Sequence, residues 1–98
     1  MDNKIVVFSK PGCPYCAKAK TFLDKLNLPF SEVVINPAES NYEYKRDRLF
    51  EFYNHRSYPI IVIDNKLLGG YSELIRAYDN LKLHKMCHNI GLYLLYDL

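Results

Sequence analysis

The feature that most constrains this chain is the passage from an apolar run into two closely spaced thiols. Lys4 to Phe8 is short, apolar and β-branched, which reads as a central strand covered on both faces. Pro11 and Gly12 punctuate a turn, and Cys13-Pro14-Tyr15-Cys16 feeds a helical pattern. Pro14 suits a first helical position, because the N–H it lacks has no helical partner to lose there. Two thiols therefore sit where a strand hands over to a helix. The unpaired amides and the dipole of a helix N-terminus stabilise negative charge, and a thiolate is the nucleophile of disulfide exchange. Lys10 adds positive charge to the same turn. Cys13 is expected to be the exposed attacking thiol, and Cys16, one turn in, the more covered second thiol.

The rest of the chain supplies alternating strand and helix patterns. Ala19, Phe22, Leu23 and Leu26 recur at helical spacing with lysines opposite, and Asn27 and Pro29 end that helix. Phe30 to Ile35 reads as a second strand. A helix joins the two strands, so they should run parallel with a right-handed crossover. Glu39 to His55 is the second helix candidate, with Ser40 and Glu43 as a capping box and Leu49, Phe52 and Tyr53 as its apolar face, flanked by Tyr42 and Phe50. Pro59 cannot donate within a ladder, so it should begin the strand that runs to Ile63. Asp64-Asn65 is a turn signal that returns Lys66 to Leu68 as an antiparallel strand. Gly69-Gly70 permits a sharp turn or the close approach of a ligand. A third helix should then run from Tyr71 to about Leu81, capped by Ser72, with Leu74, Ile75 and Tyr78 buried. Leu83 to Cys87 reads as a short fourth helix, and Leu92 to Leu98 as an apolar tail that packs back on the body. The order β-α-β-α-β-β-α predicts an α/β fold, a four-stranded mixed sheet with helices on both faces. The expected organisation is a single domain over residues 1–98, with a core at about 4–82 and a C-terminal extension at about 83–98.

Composition narrows the function classes. A net charge of +2 is too small to argue for nucleic acid. Three cysteines are too few, and odd in number, for a disulfide scaffold; a lone Cys-x-x-Cys at a strand–helix junction reads as redox chemistry in a reducing compartment. The N-terminus lacks a signal-peptide layout and no apolar run approaches the roughly 18 residues of a membrane span, so no membrane association and a cytoplasmic location are expected. A zinc site would need more ligands than the two thiols, and His84, Cys87 or His88 are the candidates to complete it. Pro14-Tyr15 and the strand–helix context favour redox over zinc, and no metal is expected. Cys87 reads as a packing thiol.

Cys13-Pro14-Tyr15-Cys16, Tyr58-Pro59 before an apolar strand, and Gly69-Gly70-Tyr71-Ser72-Glu73 together resemble a dithiol glutaredoxin of the thioredoxin fold, over roughly residues 4–82. The resemblance implies an enzyme that reduces protein disulfides and glutathione mixed disulfides, with glutathione as co-substrate and no bound cofactor. It makes Cys13 and Cys16 catalytic, joined as the redox-active disulfide when oxidised. It implies a glutathione groove formed by Lys10, Tyr15, Arg46, Tyr58, Pro59, Gly70, Tyr71 and Ser72, with Pro59 as the family's cis-proline. Lys10 and Arg46 would face the glycine carboxylate, with Arg48 or Lys45 substituting in another helix register. The Tyr58 backbone would pair with the cysteinyl unit, and Tyr71 and Ser72 would bind the γ-glutamyl carboxylate at a helix N-terminus. The implied partners are glutathione and disulfide-bearing or glutathionylated proteins, ribonucleotide reductase being a family-level candidate; the protein itself would be a monomer. Two departures stand out. Ser57-Tyr58 replaces the usual Thr-Val before the cis-proline, and Glu73 replaces a frequent aspartate. The competing classes are a [2Fe–2S] cluster-binding glutaredoxin, which Pro14 disfavours, and a redoxin independent of glutathione, which Lys10, Arg46 and Ser72 disfavour.

Overall fold

The computed structural model describes residues 3–95. Its elements are β1 (Ile5–Ser9), α1 (Pro14–Lys25), β2 (Ser31–Val34), α2 (Tyr42–Tyr53), β3 (Ile60–Ile63), β4 (Lys66–Gly69), α3 (Tyr71–Asp79) and α4 (Lys82–His88). The strands form one mixed sheet in the order β2-β1-β3-β4. β1 runs parallel to β2 and antiparallel to β3, and β4 closes an antiparallel hairpin with β3. The turn of that hairpin is Asp64-Asn65, both at positive φ, as an asparagine–aspartate turn tolerates.

Side-chain alternation along β1 divides the molecule. Ile5 and Val7 point into a core shared with Ile61 and Ile63, against Ala19, Leu23 and Leu26 of α1, Leu74 and Ala77 of α3, and Leu83 and Cys87 of α4. Leu94 belongs to the same core, and the Leu95 N–H donates to the Leu26 carbonyl at 2.9 Å. The chain after α4 therefore packs back as expected; residues 96–98 of the anticipated tail lie outside the described residues. Cys87 is fully buried there, as a packing thiol should be. Val6 and Phe8 face the opposite side, where α2 lies, with the Phe8 and Tyr53 ring centroids 5.8 Å apart.

α2 keeps most of its expected face but turns Phe52 outward. None of its residues is fully buried, and Phe52 is 79% exposed. The half-buried stripe is Tyr42, Arg46, Leu49, Phe50 and Tyr53, spaced i, i+4, i+7, i+8 and i+11. Leu49 and Tyr53 of the expected face lie in it, as do the flanking Tyr42 and Phe50; Phe52 does not, and the cation of Arg46 stands in the middle of the stripe, where apolar periodicity has no place for it. The expected capping box also fails. Asn41 precedes the helix, with no side-chain bond from it or from Ser40. Asn36 Oδ1 accepts the Ala38 N–H at 2.9 Å instead, a local side-chain turn ahead of the helix start at Tyr42. α1 ends as anticipated at Asn27, whose φ is +61°. The Asn27 and Leu28 N–H groups bond back to Asp24 and Leu23, a Schellman closure.

One polar network ties β1, β2 and α1 together. The buried Ser9 hydroxyl donates to Glu32, which also accepts from Lys20 Nζ at 2.7 Å. The Lys20 bond first, then that of Ser9, holds the Glu32 carboxyl below its ordinary value of 4.5. A depressed carboxyl contributes stability above the unfolded pKa and loses it as pH falls through the folded value. Glu32→Gln should therefore destabilise the protein at pH 7, and the gap from wild type should close as the pH drops below about 4, read by denaturant unfolding. In the same assay, Leu23→Ala should cost about 2–5 kcal/mol through the cavity it leaves, whereas Phe52→Ala should stay within about 0.5 kcal/mol.

Candidate active site

The site grows from the end of the central strand. Beyond Ser9 the chain turns through Pro11 and Gly12, the glycine at a φ of +70°. Cys13 then occupies the N-cap of α1, with Pro14 at the first helical position. The Ala17 N–H donates to the Cys13 carbonyl at 3.1 Å, which closes the first turn. The Cys16 N–H, one of the amides a helix leaves unpaired, donates to Cys13 Sγ at 3.3 Å. Cys13 and Cys16 are joined as a disulfide with their Cα atoms 5.3 Å apart. Cys13 is half-buried and Cys16 only 2% exposed. The helix start thus presents one sulfur to solvent and keeps the other beneath it.

Two walls flank the disulfide. On one side a cleft of about 500 Å³ brings together Lys10, Cys13, Arg46 and Tyr58, with Arg56, Tyr42 and Phe50 also lining it. Its charged lining is wholly basic. Lys10 Nζ lies 5.5 Å from the Tyr58 ring centroid. Arg46 lies over the Tyr42 ring at 5.4 Å and pairs with Asp47 at 3.0 Å. Tyr58 stacks at a tilt on Phe50, centroids 5.4 Å apart. Its hydroxyl is enclosed beside Tyr42 and has no hydrogen-bond partner among the described residues. Burial, and after it the Tyr42 hydroxyl, push the Tyr58 phenol well above its ordinary value of 10, so it stays neutral.

The register of α2 selects Arg46 over its neighbours. Lys45 is paired with Glu39 at 2.9 Å, and Arg48 borders a different depression beside Phe52 and Tyr53. Arg56 was not singled out from the sequence. Its place just before Tyr58-Pro59 is the signal that could have marked it.

The second wall is the turn before α3. The Tyr58–Pro59 peptide is cis and Pro59 is buried. Gly70 lies against it: a Cβ built there would stand 3.3 Å from the Pro59 carbonyl oxygen. Gly69 has a φ of +130°, and a Cβ there would come within 2.6 Å of the Glu73 side chain. The Gly70 N–H donates to Glu73 Oε1 at 2.7 Å. Gly70 is the N-cap of α3, with Tyr71 opening the helix; Ser72 is therefore inside the first turn and is not the cap. Ser72 is exposed. The Tyr71 and Tyr15 rings stand 5.8 Å apart, and Lys18 lies over Tyr15 at 5.2 Å. Tyr15 thus meets Tyr71, and Pro59 meets Gly70, around the start of α3, and none of these four lines the basic cleft.

Among the described residues, no group of three or more His, Cys, Asp and Glu side chains could hold a metal ion. His84 lies 5.3 Å from Tyr78, ring to ring, and Cys87 is in the core, so neither joins the dithiol.

A mixed sheet with an N-cap dithiol facing a cis-proline loop defines a dithiol protein of the thioredoxin fold. Comparison with known proteins narrows this. The glutaredoxin family model matches residues 5–68. Glutaredoxin-1 of Rattus norvegicus is 35% identical over 94 residues, covering 92% of this chain and 86% of that protein. Glutaredoxin-C8 of Oryza sativa subsp. japonica is 33% identical over 86 residues, covering 86% of this chain and 62% of that protein. A buckwheat glutaredoxin–glutathione complex superposes with a TM-score of 0.82 at 27% identity, covering 93% of this chain and 82% of that one. The chain belongs to the glutaredoxin family. It spans 62% of the length of the rice relative.

Glu73 caps α3 at the edge of this site. Glu73→Ala should lower the stability by about 0.5–2 kcal/mol, the usual cost of losing a cap, measured as a lower thermal midpoint.

Proposed function

We propose that the protein is a glutathione-dependent thiol-disulfide oxidoreductase that reduces glutathione mixed disulfides and protein disulfides. The observation that carries this reading is the Cys16 N–H aimed at Cys13 Sγ at the start of α1. The same amide that bonds the sulfur of the disulfide would stabilise a thiolate there once the disulfide is opened.

In the one-thiol route the Cys13 thiolate attacks the glutathionyl sulfur of a mixed disulfide. A bond forms between Cys13 and glutathione, the substrate S–S bond breaks, and the protein leaves as a thiolate that takes a proton. A second glutathione, as its thiolate, then attacks the glutathionyl sulfur, releasing glutathione disulfide and returning Cys13 as a thiolate. In the two-thiol route Cys13 attacks a protein disulfide. Cys16, deprotonated, displaces the second substrate thiol and leaves the Cys13–Cys16 disulfide, which two glutathiones reduce. The burial of Cys16 fits this order, since it is reached only from Cys13.

The two walls supply the groove for glutathione. Lys10 and Arg46 would take the glycine carboxylate, with Arg56 in the same cleft. The main chain of Tyr58, ahead of Pro59, would pair with the cysteinyl unit. Gly70, Tyr71 and Ser72, at the N-terminus of α3, would take the γ-glutamyl carboxylate, beside Tyr15. A glutathione-bound relative of the same fold supports this assignment. Glutathionylated and disulfide-bearing proteins, ribonucleotide reductase among them, action as a monomer in the cytoplasm and a role in electron transport for redox homeostasis complete the proposal.

The test is turnover of a glutathione mixed disulfide coupled to glutathione reductase and NADPH. Cys13→Ser should abolish activity. Cys16→Ser should retain it on the mixed disulfide and lose it on a protein disulfide. Full activity in Cys13→Ser would sink the assignment.

A further inference from the structure

Lys10 carries much of the proposed carboxylate recognition, yet little fixes it. It is exposed, on a flexible four-carbon stem, and among the described residues no carboxylate pairs with it. What its ammonium does meet is the ring of Tyr58, at 5.5 Å from the centroid, within the range of a cation–π contact. That ring is itself held. Phe50 packs on it from α2 at 5.4 Å, its hydroxyl is enclosed, and the next residue, Pro59, is buried. The ring is thus a fixed plate and the ammonium a mobile charge laid on it.

We propose that the Tyr58 side chain is a positioning residue that holds the Lys10 ammonium at the wall of the basic cleft, ready for the glycine carboxylate of glutathione. This rests on the glutathione reading above and adds to it a role for a side chain where the family pattern needs only a backbone. The reasoning is preorganisation: an ammonium already placed loses less freedom when the ligand arrives. A valine, the usual residue of the family at this position, offers no π face and would leave Lys10 to find the carboxylate unaided. The larger ring, which fills part of the groove, is therefore a recognition element as well as an obstruction. The contact acts on binding and leaves the sulfur chemistry alone.

The experiment compares wild type, Tyr58→Val, Tyr58→Phe, Lys10→Met and the Tyr58→Val/Lys10→Met double variant. Steady-state kinetics on a glutathione mixed disulfide is one readout; the NMR shift of the Lys10 ε-methylene protons in the free protein is the other. Tyr58→Val should raise KM about three- to tenfold, the size of the ordering cost of one long side chain that the contact spares, with kcat within about twofold. Tyr58→Phe, which keeps the ring, should restore KM. The double variant should be no worse than Lys10→Met, because the two residues act as one unit. The ε-methylene protons should be shifted upfield by the ring in wild type and Tyr58→Phe, and the shift should vanish in Tyr58→Val. A wild-type KM in Tyr58→Val, additive losses in the double variant, a Tyr58→Phe as impaired as Tyr58→Val, or methylene shifts indifferent to residue 58 would each overturn the proposal. Should wild type not turn over the mixed disulfide, the glutathione reading fails; the methylene shifts then decide the Tyr58–Lys10 contact by themselves.

Discussion

The rest of the structure depends on one short contact, the Cys16 amide pointing at the sulfur of Cys13. A helix must leave its first amides without helical partners. Here one of them is spent on a cysteine sulfur and not on the hydroxyl or carboxylate oxygen that usually caps a helix. Sulfur is a weak acceptor as a thiol and a good one as an anion. The arrangement therefore stabilises the helix less than serine would, and stabilises a reactive anion more.

Holding that contact requires a rigid helix at a defined distance from the sheet. α1 is anchored by Ala19, Leu23 and Leu26 against Ile5 and Val7 of the central strand. The strand leads directly into the active turn, so sheet and sulfur share one short piece of chain. The Ser9–Glu32–Lys20 network secures the same junction from the edge strand. The opposite face is looser: α2 contributes no fully buried residue. The element that brings Arg46, Phe50 and Tyr42 to the cleft, like the edge strand β2, places no residue fully in the core, which leaves the groove wall freer to adjust than the thiols.

Much of this was legible in the residues. The strand, the Pro14 start and the Asn27 stop of α1 are local signals with local causes, and each stands where the sequence places it. The parallel β1–β2 pair follows from the length of its connection. The face of α2 is legible except at Phe52, which faces solvent, and at Arg46, a cation that stands in the inward stripe over the Tyr42 ring. Its capping box failed, and Asn36 forms a side-chain turn several residues earlier instead. Ser72 looked like a cap because the real cap, Gly70, has no side chain to announce itself; only the reach of Glu73 back to its amide reveals it. The motif resemblance puts Lys10 and Tyr58 in one groove, but the contact between their side chains, 48 positions apart, has no local signal in the sequence.

The central claim is that the start of α1 makes Cys13 an unusually ready anion. It is tested most directly by following alkylation of Cys13 in reduced Cys16→Ser protein as a function of pH, with Cys87 protected in the core. The account predicts a midpoint at least one unit below the value of about 8.5 for free cysteine. A midpoint at or above that value would contradict it.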